Sequence, residues 1–274
     1  METGIRFPLG VPKRLISKSS FSLSIMIRRL KVKPGLMGGE VRILVISSCT
    51  HKKAVVCDQP LTLHDFRDPL RLSRREMELG RLRKPASEMY TGEQHIHLME
   101  GVRRLRRRYG FDVVTVRIIS AGYGLIAEDR PIVPYDVGFK EMTRPEARAW
   151  ARHLGVPRGV RDAIAGFKLV FFLLGDRYLD VIDPPPMPVT GQRLVFLTKP
   201  AKERVLRGPG ITVVPAGRRQ VTAYGAGLIA LKGRMFDLFA RTLVREGLSC
   251  WEAVYGDDSA ASFLRALATV DADP

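Results

Sequence analysis

Acidic residues are scarce in this chain: 28 Asp and Glu face 45 Lys and Arg, a formal charge of +17 over 274 residues. Cysteine is scarcer still. Cys49, Cys57 and Cys250 are three in number and far apart, with no Cys-x-x-Cys pair. That excludes a disulfide scaffold and points to a reducing, cytoplasmic compartment. Five histidines are scattered. His95 and His97, two residues apart, would face different sides of a helix, so no metal site is expected. No apolar run approaches the ~18 residues that span a bilayer. The longest, residues 169–174, suits a buried strand. Glycine-repeat and heptad patterns are missing, which excludes collagen-like and coiled-coil classes.

What is present is a core and a charge. Hydrophobic residues make up 45% of the chain, enough to fold. A strongly basic globular protein most often meets nucleic acid; an indifferent arginine-rich surface is the plainer explanation. Residues 1–40 hold eight basic and two acidic residues with interspersed serines. They read as a poorly ordered extension ahead of a single α/β/α domain over 41–274. The remainder keeps 37 basic against 26 acidic residues, so it stays basic without the extension.

From Val41 onward strands and helices alternate. Residues 41–46, 112–119, 168–174, 194–197 and 211–214 are short, near-continuous apolar runs of the kind buried on both faces of a parallel sheet. Between them, Ile96, Met99, Val102, Leu105 and Tyr109 recur at helical spacing, with Gly110 as the stop and Arg103, Arg104, Arg106, Arg107 and Arg108 on the other faces. Thr143 with Pro145 and Glu146 starts a helix. Residues 228–245 and 253–270 read as two more, the last interrupted near Gly256. The expectation is a three-layer α/β/α fold with a central, mostly parallel sheet.

In such sheets ligands bind beyond the carboxyl ends of the strands, which directs attention to four segments. Ser47, Ser48, Cys49, Thr50, His51, Lys52 and Lys53 form a hydroxyl-rich turn with two cations, able to hold a phosphate or a base edge. An ordinary polar turn has the same composition. Ser120 to Ile126, followed by Pro134, Tyr135 and Asp136, supplies turn glycines, two candidate stacking rings in Tyr123 and Tyr135, and the carboxylates Glu128, Asp129 and Asp136. Asp136 equally suits capping the turn after Pro134. Gly175, Asp176, Arg177 and Tyr178 add a carboxylate and an aromatic. Gly217, Arg218 and Arg219 make a basic turn suited to phosphate. The charged stretch 67–84 is able to track a phosphate backbone, although charge runs are usually solvated faces.

The ordered set Ser48-Cys49-Thr50-His51-Lys52-Lys53, Tyr90-Thr91-Gly92, Ser120 to Ile126 and Pro134-Tyr135-Asp136 resembles a bacterial family related to YaaA-like and archaeosine-synthase-associated domains. The core of that family is similar to the uracil-DNA glycosylase fold. The chain also resembles antiphage DNA glycosylases of this fold that remove glucosylated hydroxymethylcytosine from phage DNA. The water-activating Gly-Gln-Asp-Pro-Tyr and the His-Pro-Ser loop of uracil-DNA glycosylases are missing, so their catalytic residues do not carry over. The resemblance implies a DNA N-glycosylase that flips a modified base and leaves an abasic site. Its partner would be phage DNA, with no cofactor, no membrane and no obligate protein partner. On that reading Asp136, then Asp176, is the catalytic carboxylate. Ser47, Ser48 and Cys49 meet the base edge, and Tyr123, Tyr135 or Tyr178 packs on the base. Lys52, Lys53, Arg218 and Arg219 hold phosphate. Attack by Lys52 or Lys53 through a Schiff base is a variant of this chemistry. The rivals are a non-enzymatic DNA-binding stress protein and an N-glycosidic enzyme acting on tRNA or nucleotides.

Overall fold

The computed structural model describes residues 42–257 and 259–268, so the extension expected at 1–40 lies outside the described residues. The strands are β1 (Ile43–Ser48), β2 (Lys84–Pro85), β3 (Val114–Ser120), β4 (Gly124–Ala127), β5 (Pro131–Ile132), β6 (Leu169–Leu173), β7 (Arg193–Thr198) and β8 (Ile211–Pro215). The helices are α1 (Leu63–Arg67), α2 (Pro69–Glu78), α3 (Ala86–Met89), α4 (Glu93–Tyr109), α5 (Arg144–His153), α6 (Val156–Ile164), α7 (Asp176–Asp180), α8 (Arg218–Tyr224), α9 (Leu231–Glu246), α10 (Leu248–Gly256) and α11 (Ala261–Ala268).

The fold is the expected three-layer α/β/α arrangement. Six strands lie in the order β4-β3-β1-β6-β7-β8, and every neighbouring pair is parallel except β3 with β4. β2 and β5 form a separate two-stranded ribbon. The apolar runs become central strands because both faces are covered. Side chains alternate along a strand, so Phe171 and Phe172 serve opposite layers. Phe171 meets Phe236, Phe239 and Phe263 of α9 and α11, with ring centroids 5.1–5.6 Å apart. Phe172 stacks on Phe196 of β7 at 4.3 Å. Buried side chains from Ile43 to Leu267 form a continuous core.

Local sequence explains the helix ends. Thr143 caps α5: its hydroxyl accepts the Glu146 N–H at 3.4 Å, while the Glu146 carboxylate accepts the Thr143 N–H at 2.9 Å. α4 stops at Gly110, whose φ of 97° suits glycine. α4 and α9 run side by side in the same direction. A Cβ at Gly101 would come within 3.0 Å of the Asp237 Cα, and one at Gly233 would overlap the Gln94 carbonyl oxygen. The fully buried Asp237 takes Arg104 of α4 at 3.4 Å and Arg234 and Arg241 of α9 at 3.3 and 2.9 Å. This carboxylate ties the two helices together.

Two local expectations change. Residues 124–127, read as part of a crevice loop, form the antiparallel edge strand β4. That strand carries the chain away from the carboxyl edge, and Glu128 is spent there on a two-pronged pair with Arg106. The last helical stretch is interrupted after Gly256 as expected, between α10 and α11, but it begins at Leu248 rather than at 253. Among the described residues, no helix is long and apolar enough to cross a membrane.

Candidate active site

Strand direction fixes where a crevice opens. From β1 the chain crosses to β3 on one side, and from β6 it proceeds to β7 on the other. The loops leaving β1 and β6 therefore diverge, and the space between them is the switch point at which doubly wound sheets bind ligands. Ser47 of β1 pairs with Leu173 of β6, so Cys49 and Gly175 emerge at similar height. The Cys49 thiol lies 3.0 Å from the Tyr178 hydroxyl and joins the two strand ends.

The amino end of α4 closes one side. A Cβ at Gly92 would lie 2.7 Å from the Thr50 side chain, so only glycine permits this approach. The Gly92 N–H donates to the Thr50 hydroxyl at 3.2 Å, and the Thr91 N–H donates to the Lys52 carbonyl at 3.1 Å. At the second residue of α4, the Gln94 amide donates to the Ser47 hydroxyl at 3.3 Å and to the Leu173 carbonyl at 3.0 Å. It spans β1 and β6 from beneath.

The floor is a set of phenols. The Tyr90 and Tyr135 hydroxyls are 2.8 Å apart. Ser120 donates to Tyr135 at 2.8 Å and accepts the backbone N–H groups of Gly122 and Tyr123 at 3.2 and 3.0 Å. Phe66 of α1 meets Tyr123 and Tyr135 edge-on at 5.0 and 5.8 Å. It fits because Gly122 has no side chain: a Cβ there would lie 2.5 Å from the ring. Burial pushes the phenols of Tyr90, Tyr123, Tyr135 and Tyr178 well above their ordinary value. They are neutral donors at physiological pH, and the nearby Cys49 reinforces this for Tyr90, Tyr135 and Tyr178.

The charged groups stand above this floor. The Lys53 ammonium lies 4.3 Å over the Tyr135 ring and donates to the His51 carbonyl at 3.2 Å. Burial lowers its pKa, opposed by the neighbouring Cys49, Asp136 and Glu141. Asp136 follows Tyr135 directly. Its side chain is 63% exposed, and its ion-pair neighbour is His51 at 4.0 Å. Asp176, the first residue of α7, is held by Lys199 at 2.9 Å.

The structure thus brings Ser48, Cys49, Lys52, Lys53, Tyr123, Tyr135, Asp136, Asp176 and Tyr178 to one end of the sheet, with different surroundings. Ser47 is fully buried and engaged by Gln94, so its hydroxyl does not reach a base edge. Tyr135 is 2% exposed, with its ring under Lys53 and against Phe66, so it supports the floor rather than stacking on a ligand. Tyr178 is 7% exposed and reaches the crevice through the Cys49 contact. Tyr123 is half-buried, with Arg130 5.3 Å from its ring centre. Arg218 and Arg219 are exposed at the start of α8, three strands from β1, or about 14 Å at the usual strand spacing. The arginine run of α4 is at that helix's carboxyl end. The helix has 17 residues, which puts the run about 25 Å from the crevice. Gln94 and Phe66 carry no motif and were not legible as site residues; Tyr90 is legible only through its Tyr-Thr-Gly segment. Among the described residues, no group of three or more His, Cys, Asp or Glu is placed to hold a metal.

Comparison with known proteins adds one finding. The model of a family described as a family of unknown function, DUF6884, matches residues 80–198. This stretch includes Tyr90, Gln94, Ser120, Tyr135, Asp136, Asp176 and Tyr178, while Cys49 and Lys53 precede it. No curated protein matches the chain.

Proposed function

We propose that the protein is a DNA N-glycosylase. It extrudes a modified cytosine into the crevice between β1 and β6, cleaves the bond to deoxyribose and leaves an abasic site, as part of antiphage defence in the cytoplasm. The observation that carries this reading is a carboxylate without a tight partner, Asp136, beside a floor of neutral hydrogen-bond donors at the switch point. Breaking an N-glycosidic bond builds positive charge on the sugar and negative charge on the departing base. A carboxylate on the sugar side and donors on the base side answer both. Asp136 suits the first task better than Asp176, whose charge Lys199 already neutralises. Cys49, Tyr178 and the Lys53 ammonium suit the second. The resemblance of the motif set supplies the base, glucosylated hydroxymethylcytosine.

In this scheme Asp136 orients a water molecule toward C1′ and stabilises the sugar cation. The carbon–nitrogen bond breaks, water oxygen bonds to C1′, and Asp136 receives the water proton. The base leaves as its anion and takes a proton from Lys53, whose ammonium burial has made more acidic. Flipping costs a few kcal/mol, which phosphate contacts offset.

The test is incubation with DNA containing glucosylated hydroxymethylcytosine, followed by mass analysis of released bases. Asp136→Asn is expected to lose about 10²–10⁴-fold in excision while still binding the DNA. Hydrolysis through water gives no borohydride-trapped adduct. An adduct that disappears in Lys53→Gln would assign amine attack instead, and release from tRNA or free nucleotides alone would move the substrate.

A further inference from the structure

On the β7 side of the crevice three lysines gather round one carboxylate. Asp176 opens α7 just after β6, and Lys199 follows β7 and bonds it at 2.9 Å. Lys232 is the second residue of α9. Lys140 sits in the turn Phe139–Glu141, which the Phe139–Tyr178 ring contact at 5.5 Å holds beside α7. Burial depresses the Lys232 ammonium; Asp176 pulls its pKa up, and Lys199 and Lys140 push it down. Packing agrees with this: Gly233 lies on Gln94, whose amide bonds the Leu173 carbonyl at 3.0 Å, which holds the start of α9 beside the end of β6. Lys202, nearby, is already paired with Asp180 at 3.4 Å. Lys140 and Lys232 have no ion-pair partner among the described residues.

Lys232 is the half-buried member of the group, while Lys140 and Lys199 are exposed. A half-buried cation without a counter-charge costs stability, and a single carboxylate faces three ammonium groups. The backbone adds to the imbalance. α9 is 16 residues long, and its N-cap, Ala230, provides no side-chain acceptor. The Leu231 N–H is taken by the Gly227 carbonyl at 2.9 Å, and Lys232 stands one residue further on, at the positive end of the helix dipole.

We infer that Lys140, Lys199 and Lys232, with the amino end of α9, form a phosphate-binding subsite that takes a backbone phosphodiester of the strand whose base enters the crevice. Asp176 is the internal counter-ion of this subsite and holds Lys199 in place until the phosphate arrives. The choice of DNA as the phosphate's source rests on the proposed function; the binding of phosphate does not require excision. The distance from β1 suits the geometry. The subsite flanks β6 on the side of β7, one strand from the switch point, whereas Arg218 and Arg219 lie beyond β8.

The experiment measures binding of an unmodified 20-base-pair duplex to the full chain by fluorescence anisotropy across salt concentration. The variants are Lys232→Gln, Lys140→Gln and Asp176→Asn, each checked for unchanged thermal midpoint. Losing one phosphate contact lowers the log–log salt slope by about 0.9. Lys232→Gln and Lys140→Gln are each expected to show that change, with binding about fivefold weaker at 0.15 M salt. Asp176→Asn, which removes the competing carboxylate, is expected to bind more tightly. Unchanged slopes in both lysine variants would overturn the subsite. So would a lysine dependence seen with deoxycytidine monophosphate and not with the duplex, which would assign the site to free nucleotides. Failure to release any base from modified DNA, with the slope changes intact, would defeat the glycosylase reading alone.

Discussion

Asp65 shows how a residue outside the crevice shapes it. Its carboxylate accepts the Thr62 N–H at 2.7 Å and the Thr62 hydroxyl at 2.8 Å, and pairs with Arg71 at 2.6 Å. Burial alone would raise its pKa, but these bonds outweigh it and hold the carboxyl at about 2, below the ordinary 3.8. It thereby fixes α1, from which Phe66 packs on Tyr123 and Tyr135. A carboxyl depressed in the folded state stabilises fully above its unfolded pKa and loses that contribution as pH falls through the folded one. Asp65→Asn is therefore expected to lower stability by about 1–2 kcal/mol at neutral pH. The gap from the parent chain should narrow as pH drops from 3.8 toward about 2. Urea unfolding midpoints across that range check it, and a gap that stays constant down to acid would contradict the role. Tyr135→Phe keeps the ring but removes the acceptor of the Ser120 hydroxyl and the partner of the Tyr90 hydroxyl. It is expected to cost about 1–2 kcal/mol, measured by the same unfolding curves. Residue chemistry of this kind was only partly readable beforehand. Tyr135 and Ser47 carry the composition of a binding site, but composition does not reveal that the chain buries both, one under Lys53 and the other against Gln94.

At the scale of elements the contact between α4 and α9 decides the most. Gly233 lies directly on the Gln94 carbonyl, and Gln94 in turn bridges Ser47 and Leu173. Gly233→Ala is expected to separate the helices and cost about 1–3 kcal/mol or more. Gly256→Ala, where an added Cβ meets nothing within 4 Å, should leave stability unchanged or slightly higher. Thermal unfolding of the two variants separates close packing from a general glycine effect. The central strands were legible because runs such as residues 169–174 are apolar throughout, and only a sheet covered on both faces gives them that pattern. β4 was not. Its four residues follow a glycine turn and carry no more signal than a loop, and overlooking its reversal placed Glu128 in the crevice. The packing of Gly101 on Asp237 and of Gly233 on Gln94 was equally hidden, since residues so far apart in sequence announce no contact.

Across the whole molecule the positive charge divides into parts with different work. Arg104 and Arg106, within the most basic run, are committed to Asp237 and Glu128. The exposed Arg107 lies at the far end of α4. Arg107→Gln is accordingly expected to leave excision within about twofold, since a solvated charge beyond a Debye length of ~8 Å is largely screened. The lysines at the strand ends, sparser in sequence, surround the crevice. The measurement that bears most directly on the proposed chemistry is mass analysis of bases released from DNA containing glucosylated hydroxymethylcytosine, by the parent chain and by Asp136→Asn in parallel. The expected result is release of the modified base with an equal yield of abasic sites by the parent. Asp136→Asn should bind the DNA yet release about a hundredfold less or lower still. Release of no base by the parent chain, or equal release by Asp136→Asn, would contradict it.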